Sequence, residues 1–327
     1  MTMVALISPG GSPGVTTTAL ALSLSWPKPV VVAECDPSGG DILAGLFAGH
    51  LKAPRGLLGI AFEAGRGPAA IAAELSSQLV PLDDTGSRKF LAGIGDPRQA
   101  LGLSPVWPGI AIALASLEAD VIADCGRFDA GATQPLSVLA EAHGVLMVMR
   151  PTLRQVSAAR PRVDMVAQVL GGRDKLGLLL IGDQGLRPVD ISRTLDLRVV
   201  ASLPDDASTA KVLSDGDGRR TRLDRTSLMR HAKTATRAVA QFGRPPLVPD
   251  FPEDISVQSG ISASSPAPSG RGAAWTDERG SAATERGGKA APQSAPTPGA
   301  GGSGGSPPVG YSGGSPPRAN TASRVSE

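Results

Sequence analysis

The residues with the plainest chemical potential lie in "SPGGSPGVTTTALALSLS", Ser8 to Ser25. A glycine-rich turn around Gly10, Gly11 and Gly14 opens into a threonine-rich, apolar stretch of helical character. Such an order gathers the backbone N–H groups of Gly14, Val15, Thr16 and Thr17 at a helix start, where free donors and the helix dipole favour an anion. The chemistry on offer is phosphate binding. Against the pattern G-x-x-x-x-G-K-[ST], anchoring on Gly14 puts Val15 at the lysine, Thr16 at the magnesium-binding hydroxyl and Pro9 at the first glycine. Two key positions fail, and Pro13 brings no N–H to the loop.

Two acidic strand ends follow. "VVVAECDPSGGD" carries Glu34 and Asp36 around the end of an apolar run. Carboxylates there can hold magnesium-bound water or orient an attacking water. The same residues also fit a structural reading, with Asp36 capping the turn and Asp41 the next helix. "ADVIADCGRF" closes an apolar strand on Asp124, in the form of an aspartate that reaches magnesium through water. Arg127, just beyond, reads either as a replacement cation for the missing lysine or as a solvated loop arginine.

Loops this far apart converge only if a sheet brings them together. Apolar runs over Met3 to Ser8, Val30 to Glu34, Phe90 to Ile94, Val121 to Asp124, Gly144 to Met149, Leu176 to Ile181 and Arg198 to Leu203 read as buried strands. Val15 to Ser25, Pro68 to Leu79, Pro105 to Leu117, Thr133 to Ala142, Thr152 to Leu170 and Val189 to Leu195 read as helices. Strands apolar throughout need cover on both faces, which right-handed helical crossovers supply. The expectation is therefore α/β: a doubly wound, mostly parallel sheet flanked by helices, with ligands bound beyond the carboxyl ends of the strands. A last helix, Asp224 to Phe242, sets Leu228, Ala232, Ala235, Val239 and Phe242 on one stripe, for docking on the sheet or, alternatively, on a membrane surface.

Composition bounds the remaining choices. Over 327 residues, 32 basic and 30 acidic side chains leave a net charge of +2, so no global field draws nucleic acid or an anionic membrane. Cys35 and Cys125 lack the paired spacing of a disulfide framework or zinc site, which fits a reducing cytoplasmic compartment. No secretory signal is read in "MTMVALISPGG", and the apolar runs fall short of the roughly 20 residues of a membrane helix. His50, His143 and His231 are scattered, with no catalytic pattern around them. Residues 1–244 are expected to form one globular domain. Residues 245–327, rich in Pro, Gly and Ser and repeating "GGSPP", are expected to be a disordered tail acting as linker or docking tether.

Taken in order, the glycine-rich loop, "AECDPSGGD" and "VIADCG" resemble the deviant P-loop ATPases of the ParA and MinD family, over residues 3 to 244. That family's second motif reads D-x-D-P, with Glu34 and Asp36 at its acidic positions here. "LGLLLIGDQG" resembles the strand that ends in an adenine-reading asparagine, with Asp183 in its place, and "VVASLPDDASTAKVLSDG" resembles the late strand whose loop packs beside the base. The resemblance implies a P-loop NTPase fold that binds ATP and Mg2+. Gly10, Gly11, Gly14, Val15, Thr16 and Thr17 would line the phosphates, and Asp183, Pro204, Asp205 and Asp206 the base. Thr16, Asp124 and Asp36 would serve the metal, with Asp36 orienting water for catalysis. It also implies a homodimer and a protein partner, with the chain peripheral to a membrane only through that partner.

The departures point to a branch. Family members carry a signature lysine early in the loop and a second before the threonine, where Gly10 and Val15 stand. Loss of both cations implies weak or absent ATP hydrolysis, because phosphoryl transfer rests on electrostatics and positioning. Similar degenerate loops mark the TadZ and CpaE-like relatives that position pilus or secretion machinery, and the wording resembles MinD-like proteins of high-GC Gram-positive bacteria. Two further readings stand beside this one: a pseudo-ATPase scaffold that binds partners without turnover, and a DNA-partitioning ATPase. The second would use Arg154, Arg160 and Arg162 or Arg219, Arg220 and Arg222, which lack the aromatic interleaving of a nucleic-acid surface.

Overall fold

The computed structural model describes residues 1–11, 13–48, 56–129, 131–216 and 220–242, the side chains of 220–222 excepted. The expected tail, 245–327, its boundary at 244, and the side chains of Arg219, Arg220 and Arg222 lie outside the described residues.

Eight strands form one sheet: β1 Met3–Ser8, β2 Val30–Glu34, β3 Leu79–Pro81, β4 Arg88–Leu91, β5 Asp120–Arg127, β6 Gly144–Met149, β7 Leu176–Ile181 and β8 Arg198–Leu203. Their order is β3-β4-β2-β5-β1-β6-β7-β8, and every pairing is parallel except β3 with β4. The helices are α1 Val15–Leu24, α2 Leu57–Glu63, α3 Pro68–Ser77, α4 Ala100–Leu103, α5 Trp107–Ala115, α6 Leu136–Glu141, α7 Leu153–Leu170, α8 Pro188–Leu195, α9 Ala207–Asp215 and α10 Ser227–Phe242. The doubly wound, mostly parallel α/β sheet flanked by helices is the expected fold class.

The uninterrupted apolar runs have their reason in two cores, one on each face. β1, β2, β6 and β7 are buried at every position. One core joins them to α3, α5, α6, α7 and α8, the other to α1 and α10. α1 is buried nearly all round, and its Ala19 and Ala21 let it lie between the sheet and α9 and α10. The two faces diverge at the end of β1. α1 leaves toward one face, whereas α6 after β5 and α7 after β6 leave toward the other, which opens a crevice at the carboxyl ends of the central strands.

Some boundaries move for local reasons. The helix expected to Leu79 stops at Ser77, because Leu79–Pro81 pairs antiparallel with β4. The strand expected over Phe90 to Ile94 runs instead over Arg88–Leu91, starting where Arg88 pairs with Asp83 and ending before Gly93 donates to Glu34 Oε2 (3.1 Å). β5 extends beyond Asp124 to Arg127. The segment after β8 is helical as α9, and α10 begins at Ser227 with Leu228, Met229, Ala232, Ala235, Thr236 and Val239 buried, so this helix docks on β8.

Candidate phosphate and magnesium site

Gly14 is the pivot of the opening loop. Its φ of 98° is a left-handed conformation that glycine adopts freely, and it turns the chain straight into α1. That helix starts with no side-chain cap and no acidic residue in its first turn, and its first internal bond runs from Thr18 N–H to the Gly14 carbonyl (2.9 Å). The N–H groups ahead of Thr18 therefore have no helical acceptor. On the opposite side, Gln155 of α7 donates through Nε2 to the Gly10 carbonyl at 2.7 Å, and a Cβ at Gly11 would stand 3.3 Å from the same nitrogen. Gln155 is only 5% exposed and its Oε1 has no hydrogen-bond partner. Thus the loop is steadied from beneath by a side chain with an unused acceptor.

The acidic side is set by strand register. Leu6 of β1 and Glu34 of β2 both pair with Asp124 of β5, which brings the three strand ends to one level. Asp124 is buried, its carboxyl accepts from the Gly126 N–H (3.1 Å), and the Thr16 hydroxyl lies near enough to favour its charged form. Burial pushes it up to about 7, with the neighbouring Asp36 and Glu34 carboxyls adding to the rise and the Thr16 hydroxyl and Gly126 N–H opposing it. Asp36 is also raised by burial, against the lowering effect of the Ser38 N–H on its Oδ1 (2.7 Å). Gly126, at φ 61°, lies directly beneath it: a Cβ there would meet Asp36 Oδ2 at 1.8 Å. Glu34 braces the neighbouring turns: Oε1 accepts from Ile42 N–H (2.9 Å) and Oε2 from Gly93 N–H.

These elements enclose a cleft of about 420 Å³ whose walls include Gly11, Gly14, Thr16, Thr17, Asp36 and Arg127. Val15 also lines it, with Gly10 and Asp124 immediately adjoining through Gln155 and Thr16. Asp183, Pro204, Asp205 and Asp206 do not line it. They stand at the ends of β7 and β8, two and three strands from β1. There Asp183 accepts from Gln184 Nε2 (3.2 Å), and Asp205 forms an ion pair with Arg150 from the end of β6. Asp206 caps α9: Oδ1 accepts from Thr209 N–H (3.1 Å), and Oδ2 from Thr209 Oγ1 (2.7 Å) and the Leu228 N–H of α10 (3.3 Å).

Sequence reasoning missed Gln155 and the cysteine pair. Cys35 follows Glu34 at the end of β2, Cys125 follows Asp124 within β5, and the Cys35 N–H donates to the Asp124 carbonyl at 2.7 Å. The nearby Cys35 thiol, together with burial, pushes Cys125 upward. Both are fully buried free thiols. The signal was present in the acidic residue that precedes each cysteine, but only the register of β2 with β5 makes them neighbours.

The donor set suits the group that such a cleft would take. Among the described residues no three His, Cys, Asp or Glu side chains converge into a metal-holding cluster, so this is no all-protein metal cage. Magnesium needs none: it keeps several waters and is held by one or two protein oxygens together with substrate phosphates. Thr16 Oγ1 and the neighbouring Asp124 carboxyl are such oxygens. The uncapped start of α1 fits phosphate.

No family model matches the sequence, and no curated protein matches it. Solved structures do match by shape. The septum site-determining protein MinD of Pyrococcus horikoshii, complexed with Mg-ADP, aligns with a TM-score of 0.57 at 16% identity, over 73% of this chain and 94% of its own. A ParA family ATPase from Chlorobium tepidum gives 0.59 at 13% identity, over 72% and 98%. A chain of the MinC:MinD cell division protein complex from Aquifex aeolicus gives 0.55 at 16%, over 75% and 97%. What the three share with this chain is its architecture: residues of the described sheet and helices adopt the fold of the MinD and ParA ATPases.

Proposed function

We propose that this chain is a nucleotide-responsive positioning or assembly factor of the ParA and MinD kind, with a phosphate loop that has lost its lysines. The observation that carries this reading is the uncapped start of α1, whose Thr16 lines the cleft beside the buried Asp124 carboxyl. A helix start open to an anion and a hydroxyl–carboxylate pair open to a hard cation are together what Mg–nucleotide binding needs.

In this reading the N–H groups of Gly14, Val15, Thr16 and Thr17 hold the phosphates, and Gln155 fixes the Gly10–Gly11 turn that shapes them. Thr16 and Asp124 hold magnesium, which when bound neutralises phosphate charge. Asp36, pressed against Gly126, is placed to orient a water. With Gly10 and Val15 in place of lysines, hydrolysis of ATP is slow or absent. The ends of β7 and β8, with Asp183, Pro204 and Asp205, are left for the ribose and base. A homodimer, a cytoplasmic setting and a protein partner of a pilus, secretion or partitioning assembly complete the proposal, with residues 245–327 as the tether. The MinC:MinD complex is a precedent in a protein of the same fold. No described helix is long and apolar enough to cross a membrane.

Calorimetric titration of the full chain with ATP and magnesium tests the reading. Saturable binding that Thr16→Ala abolishes supports it. Absence of binding at millimolar ATP refutes it and leaves the partner-binding scaffold, which the substitutions at Gly10 and Val15 favour.

A further inference from the structure

A triphosphate brings several negative charges into a cleft that is already acidic. Asp36 and Asp41 line it, and Asp124 lies against Thr16. The charged groups acting on these carboxyls are other carboxyls: Asp41 and Asp129 on Asp36, and Asp36 and Glu34 on Asp124. A magnesium ion bound at Thr16 and Asp124 offsets part of that repulsion. The position before the threonine, which would supply a cation from the loop, holds Val15.

Arg127 is the one Lys or Arg among the described residues lining this cleft. Its side chain is exposed, and it is absent from the ion pairs of the described residues, whereas Arg150 is bound to Asp205 and Arg162 to the carbonyls of Phe128 and Ala158. Its backbone is nonetheless locked to the phosphate loop. Arg127 pairs in register with Ser8, where that loop begins. Phe128, fully buried, donates its N–H to the Ser8 carbonyl at 2.9 Å, and Gly126 makes the left-handed turn just before. The result is an unpaired guanidinium on a rigid mount beside the helix start.

We propose that Arg127 is a phosphate-binding residue, which supplies from the end of β5 the positive charge that Val15 withholds from the loop. This rests on the nucleotide reading above and specifies how that site holds its ligand. A guanidinium is suited to the role because its planar fork can donate twice to one phosphate and stays charged at all working pH values.

The test is titration of the full chain, in magnesium, with ATP and separately with inorganic tripolyphosphate, which has no base or ribose. Arg127→Ala should weaken both by about 10- to 100-fold, the range for a lost hydrogen bond to a charged group, while the thermal midpoint stays unchanged. Arg127→Lys should recover part of the loss. Val15→Lys placed in the Arg127→Ala background should recover affinity, since it returns a cation to the phosphates from the other wall. If Arg127→Ala binds both ligands as wild type does while Thr16→Ala binds neither, the assignment of Arg127 is wrong and the nucleotide site stands. If wild type binds neither ligand, both proposals fall.

Discussion

Replacement of Gly126 by alanine offers a quantitative test of how the acidic side of the cleft is built. Two costs are expected. A non-glycine residue at φ 61° occupies the left-handed region, which disfavours an L side chain by about 1 kcal/mol. The new Cβ would also stand 1.8 Å from Asp36 Oδ2 and 2.1 Å from its Cγ, far inside the 3.0 Å that real Cβ contacts respect. Asp36 must swing away, which breaks its 2.7 Å bond with the Ser38 N–H and costs about another 1 kcal/mol. The single variant should therefore lose about 2 kcal/mol. With Asp36→Ala already in place the second cost is absent, and Gly126→Ala should lose only about 1 kcal/mol. Urea unfolding of wild type, both single variants and the double variant yields the coupling as the failure of additivity. A coupling below about 0.3 kcal/mol, the level at which independent sites add, would refute the claim that Gly126 is glycine because Asp36 rests on it.

Two further outcomes follow from the same geometry. Asp206→Ala removes the cap of α9 and the acceptor for Leu228, so it should destabilise by about 1 to 2 kcal/mol in chemical denaturation. Hydrogen bonds from Thr209, Ser208 and Leu228 outweigh desolvation and hold Asp206 at about 2, below its ordinary 3.8. Its contribution is thus present above pH 3.8 and lost as the pH falls toward 2, and wild type should lose more stability than Asp206→Ala across that window. Cys35 and Cys125 are buried, and the nearby Cys35 thiol together with burial pushes Cys125 upward. Alkylation at pH 8 should modify neither thiol in the native protein and both in urea, and rapid native labelling would contradict the packing of β2 against β5.

Most of the fold was written in burial. "MVALIS", "VVVAE" and "LGLLLI" are apolar without alternation because both faces are covered, and these strands lie where they were expected. The helix α9 was less legible, since "LPDDASTAKVLSD" reads as a proline loop until Asp206 is seen to cap Thr209. Short β3 was hidden for a different reason: Leu79 continues the helical spacing of the residues before it, and only pairing to β4 makes Leu79–Pro81 a strand. Thr16, Asp36 and Asp124 stood out in the sequence because they lie in the first turn of α1, just past the end of β2 and at the end of an apolar run that β5 continues to Arg127. Gln155 was invisible, since nothing in "TLRQVSAAR" records that its amide reaches the Gly10 carbonyl from another helix. Glu34 stood out as a strand-end carboxylate, and what pairing adds is that its two oxygens accept from the Ile42 and Gly93 N–H groups.

The claim at the centre of the account is that Thr16 and Asp124 hold magnesium for a bound nucleotide. It is tested most directly by the nucleotide affinity of the full chain with and without magnesium, for wild type and Asp124→Asn. Burial disfavours the Asp124 carboxylate, so the amide variant should be at least as stable as wild type at pH 8, and loss of folding does not confuse the comparison. Wild type should bind ATP about tenfold or more tightly with magnesium than with a chelator, a difference of about 1.4 kcal/mol, and Asp124→Asn should erase most of that ratio. An equal magnesium dependence in the two proteins would contradict the assignment.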